Sequence, residues 1–125
     1  MQQTAMQSPS RASASERVMQ QLDDAVIALS SAGADPEARA FHIRTALQIL
    51  GTDVMPGARA LLSPAVADRL GALCEYMCTR LQYAHVHGVD APFKEVIRLL
   101  EDLRRAWPSL DRTRASAPRM LKQDV

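Results

Sequence analysis

The chain has 125 residues, a length that suits one domain, with a net charge of +1, 47% apolar residues and only 4% aromatics. That near-neutral balance excludes a strongly basic nucleic-acid or anionic-membrane binder, and no apolar run approaches the ~20 residues that span a bilayer. The first residues, MQQTAMQSPSRASASE, hold no continuous apolar segment of the signal-peptide kind, so the expected location is the cytoplasm, without membrane insertion.

Residues 1–13 are rich in Gln, Ser, Ala and Thr without periodicity and read as a mobile tail. Ser13 or Ser15 is the expected N-cap of helix one, with Glu16 in its first turn. Val18, Leu22, Ala25 and Leu29 form one stripe at steps of four, three and four, which Met19 and Val26 widen. Gly33 followed by Asp35-Pro36 predicts a stop near Ser31 and a new start at Pro36. Helix two is predicted from Pro36 to about Leu50 on Ala40, Ile43, Leu47 and Leu50, with Gly51 ending it. Residues 51–63, containing Gly51, Pro56 and Gly57, predict a loop with room for a turn of helix.

Ser63-Pro64 is an N-cap and first-turn pair for helix three, expected to run to His87. Its stripe is Val66, Leu70, Leu73, Met77, Leu81 and Ala84. Helix four opens at Pro92 after the breaker Gly88-Val89-Asp90-Ala91 and carries Phe93, Val96, Leu100, Leu103 and Trp107. Pro108 is its expected end. Residues 108–125, with Arg112, Arg114, Arg119 and Lys122 among few large apolar groups, read as a C-terminal tail that is mostly mobile or docks as a short helix. Short connections between such helices favour antiparallel neighbours.

Three clusters invite a chemical reading, and each has a plainer one. Cys74 and Cys78 lie on adjacent turns, with His85 further on and His42 or His87 as a remote fourth ligand. A structural metal site normally takes four ligands from paired motifs, so a reduced, packed cysteine pair is the stronger reading, with no metal and no cofactor. The histidines come without a nucleophile elbow, phosphate loop or HExxH motif, so no catalytic site is expected. Arg98, Arg104 and Arg105 alternate with Glu95, Glu101 and Asp102, the pattern of a solvated helix face rather than a nucleic-acid site. Helix four also carries Ile97, Leu99 and Ala106 beyond one narrow seam, and that surplus suits a partner's amphipathic helix.

Leu73-Cys74-Glu75-Tyr76-Met77, Arg80-Leu81, Glu95-Val96, Leu99-Leu100, Leu103-Arg104 and Ala106-Trp107 keep the order and spacing of a known pattern. With Ala46-Leu47-Gln48-Ile49-Leu50 and, in helix one, Ala12, Ser13, Asp23, Ala25 and Leu29, they resemble the FliS family of flagellar secretion chaperones over residues ~12–107. The resemblance is divergent in the N-terminal motif. Ala14 stands for a proline, Leu22 for a tyrosine and Asp24 for a glycine, and Gln20 and Gln21 occupy positions that are usually apolar.

The expected fold is therefore all-α: one antiparallel four-helix bundle over residues 14–107, with a short extra helix allowed in the 51–63 loop or the C-terminal tail. The resemblance implies a non-enzymatic export chaperone that binds the disordered C-terminal segment of flagellin. It would prevent premature polymerisation and deliver its client to the flagellar type III export apparatus. The alternatives are a secretion chaperone or adaptor for another helical client, and a small ligand- or metal-binding bundle. The available apolar lining nominates Val18, Leu22, Val26, Ile97 and Leu99 as partner contacts. A homodimer is left open by the sequence.

Overall fold

The computed structural model describes residues 11–33 and 35–124, with side chains for 12–33 and 35–111. Its elements are α1 (Arg11–Ser30), α2 (Pro36–Gln48), a π-helical segment (Ile49–Val54), α3 (Met55–Leu61), α4 (Pro64–His87) and α5 (Ala91–Asp124). The second rod is continuous from α2 through α3, so the chain makes four rods. Each packs on its neighbour in sequence and α5 closes the ring against α1, which gives the expected antiparallel four-helix bundle.

The local signals explain where the rods start and stop. Asp35, in an extended conformation, accepts the Ala38 N–H at 2.9 Å ahead of Pro36. Ser63 does the same for Val66 at 3.4 Å ahead of Pro64. Gly88 closes α4 at φ 64°, sending its N–H to the Ala84 carbonyl, a left-handed conformation that a residue with a Cβ adopts only under strain. The core takes one stripe from each rod. Ala67, Leu70, Cys74, Met77, Leu81 and Ala84 of α4 face Phe93, Val96, Leu100, Leu103 and Trp107 of α5, and Val18, Leu22, Ala25 and Leu29 of α1 complete the layer.

Three expectations about boundaries give way. Helix two does not end at Gly51. The chain stays helical to Leu61, and the extra helix allowed for in 51–63 is α3, joined to α2 through the π turn. A glycine inside a helix costs ~1 kcal/mol relative to alanine, whereas fully burying a Val or Leu side chain contributes ~1.5–3 kcal/mol. Leu50, Val54, Ala58 and Leu61 are all buried, so burial outweighs the breaker. The wide turn carries the register: Met55 donates to the carbonyl of Leu50, five residues back, just before Pro56, which has no N–H to give.

Helix four does not end at Pro108 either, because α5 runs on to Asp124. A proline inside a helix removes one hydrogen bond, and the flanking Trp107, fully buried, and Leu110, half-buried, hold the chain in place. The N-terminal tail expected over 1–13 falls outside the described residues up to residue 10, and α1 already begins at Arg11. Ser15 is accordingly inside α1 rather than at its cap. It is 7% exposed, and its hydroxyl oxygen accepts the indole N–H of Trp107 at 2.6 Å. A buried Trp needs such an acceptor, and a serine one turn into α1 supplies it.

Gly57 lets α3 approach α1. A Cβ added there would sit 2.7 Å from Cγ2 of Val18, a β-branched side chain only 2% exposed. Gly57→Ala should therefore destabilise the bundle although alanine is the better helix former: overpacking costs ~1–3 kcal/mol against a propensity gain of at most ~1 kcal/mol. Urea denaturation is the check, and a higher midpoint for the variant would refute the close contact.

Candidate functional site

The five nominated contacts do not form one surface. Val18 and Leu22 are 2% and 0% exposed and belong to the core. α1 has a single apolar stripe, so the stripe that looked available is the one the bundle consumes. Val26, Ile97 and Leu99 are half-buried against that core. Val26 and Ile97 lie along the seam of α1 and α5, where Arg104 Nε meets Asp23 Oδ1 at 3.0 Å; at the end of the bundle a pocket of about 310 Å³ is lined by Leu29, Phe93 and Ile97 together with Arg39, Asp90 and Lys94. Leu99 is one turn beyond Glu95, on the flank of α5 that faces α4.

That α4–α5 flank is held by a polar triad. Glu95 accepts the Tyr76 hydroxyl at 2.5 Å on one oxygen and Arg80 Nε at 2.9 Å on the other. The tyrosine hydrogen bond, then the guanidinium, holds the Glu95 carboxyl below its usual range. The same contact with the carboxylate raises the Tyr76 phenol and the Arg80 guanidinium. Arg80 also stacks over the Tyr83 ring at 5.7 Å. The sequence places Tyr76, Arg80 and Glu95 in the motif positions, and the structure shows that they join two helices across the surface. At the end of the bundle Arg39 plays a similar part. Its guanidinium bonds Asp90 at 2.6 Å and the Gly33 carbonyl at 3.2 Å, and lies 5.0 Å over the Phe93 ring.

A larger concavity among the described residues lies outside the positions nominated from the sequence. Between the second rod and α4 runs a groove of about 550 Å³. Leu47, Leu50, Gly51 and Met55 form one wall, and Gly71, Cys74 and Cys78 the other. Arg59, Glu75 and Thr79 edge it. The available signal was Gly71, an isolated glycine inside a strong helical pattern. The cysteines are free thiols in this groove. Burial, with a smaller contribution from Cys78, pushes the Cys74 thiol up to about 11, and burial raises Cys78 too. Both therefore stay protonated at neutral pH and line the groove as small apolar groups. Among the described residues no group of three or more His, Cys, Asp or Glu side chains is placed to hold a metal ion.

Gln20 and Gln21, the polar departures on α1, have different surroundings. Gln20 is exposed and donates to Asp24 at 3.0 Å. Gln21 is half-buried, and its Oε1 is shielded from solvent without a hydrogen-bond partner among the described residues, a condition that costs ~1–3 kcal/mol. No described helix is long and apolar enough to cross a membrane.

A helical bundle with partly apolar concavities between its rods fits the class of binding modules that take helical or unstructured segments. The family described as flagellar protein FliS matches residues 2–114. The chain therefore belongs to the FliS family, a family of flagellar export chaperones whose known role is flagellin binding. No curated relative and no solved structure matches the chain.

Proposed function

We propose that the protein is a cytoplasmic export chaperone for flagellin. It holds the client's C-terminal segment in an unpolymerised state and presents it to the flagellar type III export apparatus. Residues 14–107 form the chaperone unit. The observation that carries the reading, beside family membership, is a pair of concavities with partly apolar lining, one between the second rod and α4 and one beside α1 and α5 at the end of the bundle. A segment that is disordered alone loses chain entropy on binding. It offsets that loss by burying extended apolar area, on the order of 1,000–3,000 Å² in coupled folding. One compact pocket does not offer that area, whereas grooves along several rods do. Leu29, Phe93 and Ile97 line one and Leu47, Met55 and Cys78 the other, while Val26 and Leu99 are half-buried beside them.

Calorimetry with the flagellin encoded in the same genome tests the reading. Full-length flagellin should bind with a negative heat-capacity change and new helical circular dichroism on mixing. Flagellin lacking its C-terminal segment should give no heat. Equal heats from both, or none from the full-length protein, would assign the chain to another helical client.

A further inference from the structure

Among the described elements α5 is the longest, 34 residues, and it outruns its neighbours. Two contacts fix the register. Ser15 of α1 meets Trp107, so Arg11, one turn earlier on an antiparallel rod, is level with Asp111. Arg80 of α4 meets Glu95. Going back along α4 from Arg80 to its start at Pro64, and forward along α5 from Glu95 by the same number of residues, also reaches Asp111. The second rod ends at Leu61, just before Pro64. Residues 112–124 of α5 therefore continue for roughly 20 Å past the level at which all three other described rods stop. The family match ends at residue 114, so most of this arm lies outside what the chain shares with its family.

The near-neutral total of the chain conceals a segregation of charge. Arg112, Arg114, Arg119 and Lys122 stand against Asp124 alone, so the arm is net +3; the whole chain is net +1, and the remainder is therefore net −2. By helical register Arg112, Arg119 and Lys122 fall on one side of the arm and Ala117, Met120 and Leu121 on the other. We propose that residues 112–124 of α5 form a peripheral arm that binds an anionic lipid surface, using its basic side and its apolar side together. That pairing of sides is the pattern of a helix that lies in a membrane interface without spanning it. A second copy of the chain is disfavoured as the occupant, because two such arms carry the same charge. A nucleic acid would engage the basic side alone, whereas a lipid surface engages both. Each Lys or Arg beside an anionic leaflet raises partitioning roughly fivefold, so a net +3 raises it about a hundredfold. Two large apolar residues add too little for permanent anchoring. Binding is therefore reversible and weakened by salt, and the net −2 of the remaining chain confines the attraction to the arm. This attachment goes beyond the proposed function and does not depend on which client the bundle carries.

Co-sedimentation of the full chain with lipid vesicles tests this. Vesicles of equal parts phosphatidylglycerol and phosphatidylcholine should bring the protein down at low ionic strength and release it at about 0.5 M salt, where charges are screened within a few ångströms. Vesicles of phosphatidylcholine alone should leave it in solution. Arg119→Gln combined with Lys122→Gln should weaken partitioning roughly 25-fold and keep the thermal transition of the bundle, because both residues lie past the other described rods. Should that variant fail to fold, Arg112→Gln combined with Arg114→Gln takes its place with the same expected loss. Leu121→Gln should weaken binding several-fold by removing part of the apolar side. Equal recovery on both kinds of vesicle, no recovery on the anionic ones, or wild-type recovery of the folded charge variants would overturn the inference. Wild-type binding by Leu121→Gln, together with tighter binding of the unaltered chain to double-stranded DNA than to the anionic vesicles, would overturn it in favour of a nucleic acid.

Discussion

Leu100→Asp should leave a chain that does not fold. Leu100 is fully buried, centred in the α5 stripe between Val96 and Leu103 and facing the core side of α4. Removing a buried leucine side chain alone costs ~2–5 kcal/mol. A carboxylate at that depth adds a desolvation penalty that no neighbour relieves, because the residues around it in the core cluster are apolar. Together these exceed or match the ~5–15 kcal/mol by which a domain of this kind is stable. The expected result is loss of the cooperative thermal transition followed by far-UV circular dichroism. Leu100→Met, which conserves volume, should keep the transition at a cost below ~1.5 kcal/mol. If Leu100→Asp melts cooperatively within a few degrees of the wild type, the packing described for α5 is wrong.

Trp107→Ala should be nearly as damaging, for two separable reasons. Trp107 is the only tryptophan and is fully buried. Truncating a buried Trp to Ala costs ~3–5 kcal/mol through lost burial and the cavity left behind. It also leaves the Ser15 hydroxyl, itself buried, without the indole N–H it accepts at 2.6 Å. Trp107→Phe isolates the second effect: most of the ring volume remains, the donor is gone, and a stranded polar partner costs ~1–3 kcal/mol. A double-mutant cycle with Ser15→Ala measures the coupling directly. Ser15→Ala in the Trp107→Phe background should then cost less than in the wild type. Additive losses would show that the bond across α1 and α5 contributes nothing. The wild-type fluorescence provides a second check, since a shielded indole emits to the blue of one in water.

Two of the three boundary differences share a cause. Gly51 and Pro108 are strong local breakers, and a reading made one window at a time stops at each of them. In the folded chain both lie beside residues that the core takes up: Leu50 and Val54 next to the first, Trp107 and Leu110 next to the second. Helix propensity is a matter of about 1 kcal/mol per glycine, and tertiary burial overrides it. The period of the buried set continues unbroken through Leu50, Val54, Ala58 and Leu61, so the continuation was legible to a count of apolar spacing across the breaker. The exchange of Ser15 from expected cap to buried acceptor was not. Trp107 lies 92 residues away in the chain, and nothing local in a Ser-Ala-Ser run announces it.

The sequence by itself determined the number of rods, three of their capped boundaries at Asp35, Ser63 and Gly88, and the core stripes of α4 and α5. Those features depend on periodicity and on hydrogen bonds within a few residues, which are properties of a short stretch of chain. It also carried the family, because Tyr76, Arg80, Glu95 and Trp107 stand at motif spacing. Tertiary structure alone decided which apolar residues remain at the surface. A helix with one stripe gives that stripe to the bundle, so Val18 and Leu22 are interior while Val26, Ile97 and Leu99 stay at the seams. The groove between the second rod and α4 was decided there too. Its walls, Leu47 to Met55 and Gly71 to Thr79, are apart in the chain, and a concavity is the space between two helices, which neither helix encodes alone.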